Sequence, residues 1–305
     1  MPTYRIYGFI LDSDIALPAL PQVERSDADV TICAGDVPET AGLQTSFRNW
    51  EAEPGRFFAI FHETGRFLVT GGNTIRYHRF DTADDSQVVS VLLGTCMAAL
   101  LMQRRIVPIH SCSVLTDKGA VLVMGMSGAG KSTMLGGLLS LGLPMMADDV
   151  TGLVLAGTGA PTAVPAFPAT RLWKDSLDYL GHDSTDLPRV RSDMAKYYRS
   201  VPQFHDRPEP IRAITYLQAS NRPDPQMGLL EPEKRVECVS RFIHRKNFID
   251  GMQLRRWAFE TVTKTVRHVP IFHLLRPSHR VEPSELAQMI LHGIDQNETV
   301  ATEQI

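Results

Sequence analysis

The first eighty residues alternate short apolar runs with polar punctuation. Segments rich in aromatic and branched residues occupy Tyr4–Leu11, Asp29–Cys33, Arg56–Phe61 and Arg66–Val69, with turn signals at Glu53-Pro54-Gly55 and Gly71-Gly72-Asn73. Each run predicts a strand, so this part of the chain reads as β-rich. The pattern then lengthens. Val88–Met102 is apolar except for Ser90, Gly94 and Thr95, with polar Asp81–Ser86 before it and Arg104-Arg105 after it. That predicts one helix. Its fifteen residues fall short of the roughly 20 a spanning helix needs, so a buried helix is expected.

Beyond it, strands and helices interleave. Ile106–Leu115 and Ala120–Met124 predict strands joined by a turn at Asp117-Lys118-Gly119, and Lys131–Leu141 predicts a helix stopped by Gly142 and Pro144. Met145–Ala147 predicts a strand with Thr151–Leu155 as its antiparallel continuation, and Ile211–Gln218 and Pro270–Leu275 predict two more. Helices are expected at Leu172–Leu180, Lys234–His244, Arg255–Val266 and Ser284–Ile294. This alternation argues an α/β core from residue 86 onward, with residues 1–85 as a small β-rich N-terminal subdomain.

Composition narrows the function. A formal net charge of −3 lacks the basic excess of a nucleic-acid binder. Cys33, Cys96, Cys112 and Cys238 are widely spaced, without a C-x-x-C pair, which suits free thiols rather than a zinc site or a disulfide framework. The first residues lack a basic stretch leading into an apolar one, so no secretory signal is expected. A soluble cytoplasmic protein with neither nucleic-acid nor membrane partners is the expectation.

The segment Gly125-Met-Ser-Gly-Ala-Gly130-Lys131-Ser132 fits G-x-x-x-x-G-K-[ST], with a strand before it and a helix after it. The spacing has a physical reason. Glycines let the backbone wrap close to phosphate oxygens with successive N–H groups pointing inward, and the helix N-terminus adds a favourable dipole. Gly125, Ser127, Gly128, Ala129, Gly130, Lys131, Ser132 and Thr133 are therefore expected to hold a nucleotide. Lys131 would reach the β- and γ-phosphates, and Ser132 would ligate Mg²⁺.

Such a site needs an acid at the tip of a neighbouring strand. Leu143–Asp149 ends in Asp148-Asp149, so one carboxylate can serve the metal while the other accepts a proton from an attacking hydroxyl. His110 ends the apolar strand before the loop strand. For a cation on the equatorial oxygens, Arg171, beside the anchoring pair Leu172-Trp173, is preferred over Lys196 and Arg199. No N-K-x-D pattern for guanine appears.

His110, then the glycine-rich loop fifteen residues later, then Asp148-Asp149, resembles the catalytic domain of HPr kinase/phosphorylase and, more distantly, phosphoenolpyruvate carboxykinase. The likeness covers residues 106–155, while Ala166–Trp173 and Val269–Arg276 look like segments of HPr-kinase-related proteins. It implies an α/β P-loop core of that kind, ATP and Mg²⁺ as cofactors, and a serine on a peptide or small protein as acceptor. Stand-alone kinases of this kind modify lasso-peptide precursors, so the resemblance makes those one expected acceptor. Asp149 would be the general base, with Asp148 nearer the metal and His110, and Lys131 on the phosphates. The glycine-rich E-x-R-G-x-G segment of true HPr kinases has no counterpart, Pro165–Trp173 standing in its place, so neither the reverse reaction nor the HPr substrate is implied. A regulatory nucleotide switch, a small-molecule kinase and a homo-oligomeric assembly stay open.

Overall fold

The structure, a computed structural model, describes residues 1–157, 159–179, 181–278 and 281–303. Eight strands come first: β1 (Thr3–Ile6), β2 (Phe9–Ser13), β3 (Val30–Ala34), β4 (Thr45–Phe47), β5 (Trp50–Glu53), β6 (Arg56–Phe61), β7 (Gly65–Thr70) and β8 (Thr74–Arg79). They form one sheet in the order β1-β2-β3-β8-β7-β6-β5-β4. The run Tyr4–Leu11 is two strands, because Tyr7 (φ 51°) and Gly8 (φ 77°) make a two-residue turn between the paired Ile6 and Phe9. Positive φ at both central residues is the hairpin turn that matches strand twist.

A helical segment follows: α1 (Asp85–Val91), a π-helical turn at Leu92–Cys96, and α2 (Met97–Gln103). Asp84 and Gln87 form a reciprocal capping box at its start. At 19 residues the segment is long and apolar enough to cross a membrane by composition, but 67% of its 18-residue apolar window is buried inside the fold.

The second sheet holds β9 (Val107–Ile109), β10 (Ser111–Thr116), β11 (Gly119–Met124), then, after α3 (Lys131–Ser140), β12 (Met145–Ala147), β13 (Thr151–Leu155) and β14 (Pro161–Val164). A separate ribbon, β15 (Ala169–Trp173) and β16 (Lys196–Ser200), flanks α4 (Lys174–Tyr179). The long β17 (Glu209–Ser220) and β18 (Gln226–Leu229) precede α5 (Pro232–Arg241), α6 (Asn247–Gly251) and α7 (Arg255–His268). Last come β19 (Ile271–Pro277) and α8 (Pro283–Glu303). The second sheet runs β12-β10-β11-β17-β14-β13-β9, with β19 and then β18 branching from β17. Strands β11, β17 and β19 are mutually parallel, so their C-terminal ends gather at one edge.

Alternation on β11 divides two apolar layers. Val121 and Val123 pack with Met134, Leu138, Leu286 and Ile290 under α3 and α8. Ala120, Leu122 and Met124 face a larger cluster that also contains Phe57, Phe67, Leu100, Val239 and Val262. A strand buried on both faces reads as one continuous apolar run, as this one does. The larger cluster extends from Tyr4 to Ile271, so the two sheets share one core.

Three expectations need correction. Ile106–Leu115 is not one strand: it breaks at His110, with β9 pairing β13 and β10 pairing β11 and β12. Thr151–Leu155 pairs with β14 and β9 rather than continuing β12, because the Asp148-Asp149 turn carries the chain across the sheet. Leu172–Leu180 starts as strand, since Ala169–Trp173 pairs register-by-register with β16 and the helix begins only at Lys174. Leu180 itself lies outside the described residues.

Candidate active site

The glycine-rich loop leaves the C-terminal end of β11 and enters α3, whose N-cap is Gly130. Two glycines are required sterically. A Cβ on Gly125 would stand 2.8 Å from the Leu217 carbonyl oxygen. Gly130 has φ +97°, which a side-chain-bearing residue rarely adopts. Lys131 Nζ donates to the carbonyls of Gly125 (2.8 Å) and Met126 (3.3 Å), folding the side chain over its own loop. Burial lowers the Lys131 pKa. The end of β19 pins the loop from behind: Arg276 Nε donates to Ala129 O at 2.7 Å and Nη1 to Pro277 O at 2.9 Å.

The acidic pair ends β12 opposite the loop. Asp148 is buried, its Oδ1 3.5 Å from Ser132 Oγ and its Oδ2 accepting the Arg171 backbone N–H at 2.7 Å. Burial pushes its pKa up to about 6. Asp149 has φ +76°, a conformation Asp tolerates better than most side chains. That kink lets successive carboxylates line one cavity. Asp149 Oδ2 lies 3.1 Å from Arg171 Nη1, and Oδ1 lies 3.4 Å from His110 Nδ1, which also bonds Asp149 O at 2.9 Å. Burial raises the Asp149 pKa, but Arg171, foremost among the nearby cations, outweighs it and holds the carboxyl below its ordinary range.

His110 therefore sits against Asp149 rather than Asp148. Its position follows from the break between β9 and β10, where its N–H donates to Phe242 O at 2.7 Å. Burial and Lys131 lower its pKa, favouring the neutral ring. Beneath the pair, the buried hydroxyls of Ser111, Thr151 and Ser113 form a chain with links of 2.9 and 3.0 Å that ties β10 to β13. Tyr7, at the tip of the first hairpin, donates its hydroxyl to Val150 O at 3.2 Å. Burial raises that phenol's pKa, with Arg171 and Asp149 near enough to act on it.

His110, Ser127, Gly128, Gly130, Lys131, Ser132, Thr133, Asp148, Asp149 and Arg171 line a single cavity of about 330 Å³. Gly125 and Ala129 stand behind it. Lys196 also lines it and Arg199 does not. Lys131, Arg171, Lys196 and Arg276 face two carboxylates, a cationic excess suited to a polyanion such as a phosphate chain. Three neighbours escaped the sequence reading. Arg276 carried a faint signal as a cation at a strand end. His244, whose ring centre is 6.1 Å from His110 and whose pKa burial drives down to about 4, carried none. Neither did Tyr7, 142 residues before Asp149 along the chain.

No protein-family model matches the sequence, and no curated protein matches it. Among solved structures, the chain is similar to one described as the Hpr(Ser) kinase/phosphatase from Coxiella burnetii. The match covers 65% of this chain and 96% of that one, at 12% identity and a TM-score of 0.34. A superposition that loose transfers neither residue roles nor an activity. The fold stands on its own as mixed α/β with separate sheets.

Proposed function

We propose that this protein is a Mg²⁺-ATP-dependent kinase that phosphorylates a serine hydroxyl on a peptide or small protein, lasso-peptide precursors among them. The observation that carries this reading is the difference in surroundings between the two aspartates. Asp148 is the carboxylate beside Ser132, whereas Asp149 is held by Arg171 and His110 in the same cavity. A metal-side acid and a separate proton acceptor are what phosphoryl transfer to an alcohol uses; a simple switch needs only the first.

The donor set fits Mg²⁺, which favours one or two carboxylates completed by phosphate oxygens and water. Ser132 and Asp148 would hold it, and the buried Asp148 carboxylate gains a compensating charge. When bound, the ion neutralises charge on the β- and γ-phosphate oxygens.

The acceptor oxygen attacks the γ-phosphorus, the bond to the β–γ bridging oxygen breaks, and the hydroxyl proton passes to the Asp149 carboxylate. A carboxylate held below its ordinary pKa is a weak base. It suits a loose transition state in which the proton moves late and the main task is aiming the hydroxyl. Arg171 keeps Asp149 ionised, and in this reading its guanidinium would stabilise the charge that spreads over the equatorial oxygens. The same reading takes residues 1–85 as an N-terminal subdomain and 86–305 as the kinase domain of a cytoplasmic protein without nucleic-acid or membrane partners, in which homo-oligomers are compatible.

Mass spectrometry tests this. The purified protein is incubated with Mg²⁺-ATP and a library of serine-containing peptides. A gain of one phosphate on serine, absent with Asp149→Asn, is the expected result. ATP binding with no acceptor modified would instead favour a regulatory switch or a small-molecule kinase.

A further inference from the structure

The phosphate-sized cavity does not end at Thr133. A second cavity of about 370 Å³ adjoins it, and Gly130, Thr133, Ser176 and Arg276 line both. The second space differs in character. Its floor is Met134, Leu217 and Leu286, all buried in the layer beneath α3 and α8. Arg276 is fixed at the seam by its bonds to Ala129 O and Pro277 O. The exposed Asp175, in the first turn of α4, lines the second cavity alone.

We propose that this second cavity takes the base and ribose of a nucleoside triphosphate whose phosphates lie along the glycine-rich loop. The proposal rests on the kinase reading above and adds the direction in which the donor lies. Three observations carry it. The seam runs through Thr133, the residue after Lys131 and Ser132, so a phosphate chain extending from Asp149 past Lys131 leads directly into it. The volume falls within the roughly 300–1,000 Å³ of small-molecule sites, where a mostly apolar lining carries a few placed polar groups. The chemistry matches the two halves of a nucleoside: an apolar floor with a cation beside it suits a flat heterocycle, and a carboxylate suits the vicinal hydroxyls of ribose. The donor's terminal phosphate then faces Asp149. The rim at Trp173, whose ring carries Lys196 Nζ at 5.7 Å, is left for the acceptor, since neither residue lines the second cavity.

Titration calorimetry with Mg²⁺-ATP and with Mg²⁺-tripolyphosphate separates this proposal from the reading it rests on. The second probe carries the phosphates without base or ribose. The wild-type protein should bind ATP at least about tenfold tighter than tripolyphosphate. Asp175→Trp, which fills the second cavity from its rim, should weaken ATP by about tenfold or more and leave tripolyphosphate within about twofold. Lys131→Ala should weaken both. Retained tripolyphosphate binding certifies the fold of the Asp175 variant; where tryptophan prevents folding, Asp175→Leu should weaken ATP selectively by about threefold. Equal wild-type affinity for both probes, or a variant that weakens both alike or neither, overturns the placement of the base while leaving the phosphate loop intact. Binding of neither probe by the wild-type protein removes the kinase reading and this proposal with it.

Discussion

The two walls of the cavity are built in opposite ways. The loop wall, Gly125–Thr133, is contiguous chain running from the end of β11 into the first turn of α3, with the Lys131 side chain folded back over it. The acid wall draws His110 from the β9–β10 break, Asp148 and Asp149 from the end of β12, Arg171 from β15 and Lys196 from β16. Its side chains are paired: Asp149 is held by Arg171 and His110, and Asp148 takes an N–H from Arg171. A wall made locally can lose a side chain without unsettling the fold, whereas a wall made of paired buried charges couples chemistry to stability. The contrast predicts how each side responds to substitution.

The largest effect belongs to the loop wall and should leave stability almost untouched. Lys131→Ala is expected to lower phosphoryl transfer by at least about 10³-fold, about 4 kcal/mol of transition-state stabilisation. Lys131 is a buried cation bonded only to loop carbonyls in the described contacts, so its removal relieves desolvation and the melting temperature should stay level or rise. A variant that melts well below the wild type would show that the loop wall is not self-contained.

The acid wall, by contrast, should titrate. Burial pushes Asp148 up to about 6 and His244 down to about 4. Their contributions have opposite signs. From about pH 4 to 6 the folded state holds the Asp148 proton more tightly than the unfolded chain, so stability falls as pH rises. Between about pH 4 and 6.5 the unfolded chain holds the His244 proton more tightly, so stability rises with pH. In metal-free buffer the Asp148 contribution opposes that of His244, and His110, whose pKa is also lowered, adds to the rise. Asp148→Asn removes the falling part. It should gain stability with pH, exceeding the wild type by about 3 kcal/mol at pH 7 and matching it near pH 4. Urea unfolding across the window measures this, and parallel curves for the two proteins would mean that Asp148 is not desolvated.

Asp149→Asn sharpens the contrast within the acid wall. It should lower transfer by about 10²-fold, near 2.7 kcal/mol, while ATP affinity holds. Transfer surviving nearly intact would take the proton-accepting role from Asp149. Arg171 loses its ionised partner in this variant, so a fall in melting temperature should accompany the fall in rate.

The same contrast explains what the sequence made legible. The loop wall could be read completely because its geometry is encoded in consecutive residues: glycines where the backbone bends or approaches Leu217, then a lysine and a serine opening a helix. Asp148-Asp149 could be read as a strand end. Their separate partners could not, since whether His110 meets Asp148 or Asp149 depends on where β9 breaks and on the positive φ of Asp149. Fold elements divide likewise. The aromatic-rich run Arg56–Phe61 and the long helix Arg255–His268 announce themselves. The ribbon β15–β16 does not, because Ala169–Trp173 becomes a strand only by pairing with residues some twenty-five positions on.

Tyr7 gives the smallest and most specific test. Its ring is buried, it holds φ 51° in a turn that also needs Gly8, and its hydroxyl reaches the carbonyl of Val150, the residue after Asp149. A bulky side chain in the left-handed region costs on the order of 1 kcal/mol, so the surrounding structure must hold it there. The hairpin tip of the first sheet thereby braces the turn that presents both carboxylates. Tyr7→Phe keeps ring, backbone and turn while deleting one hydrogen bond, and should cost about 1 kcal/mol of stability. If the bond steadies Asp149, kcat should fall a few-fold with KM for ATP unchanged, because the loop wall is untouched. A stability loss with unaltered kcat would make Tyr7 a packing residue only, and the acid wall would then owe its geometry to Arg171 and His110 without help from the first sheet.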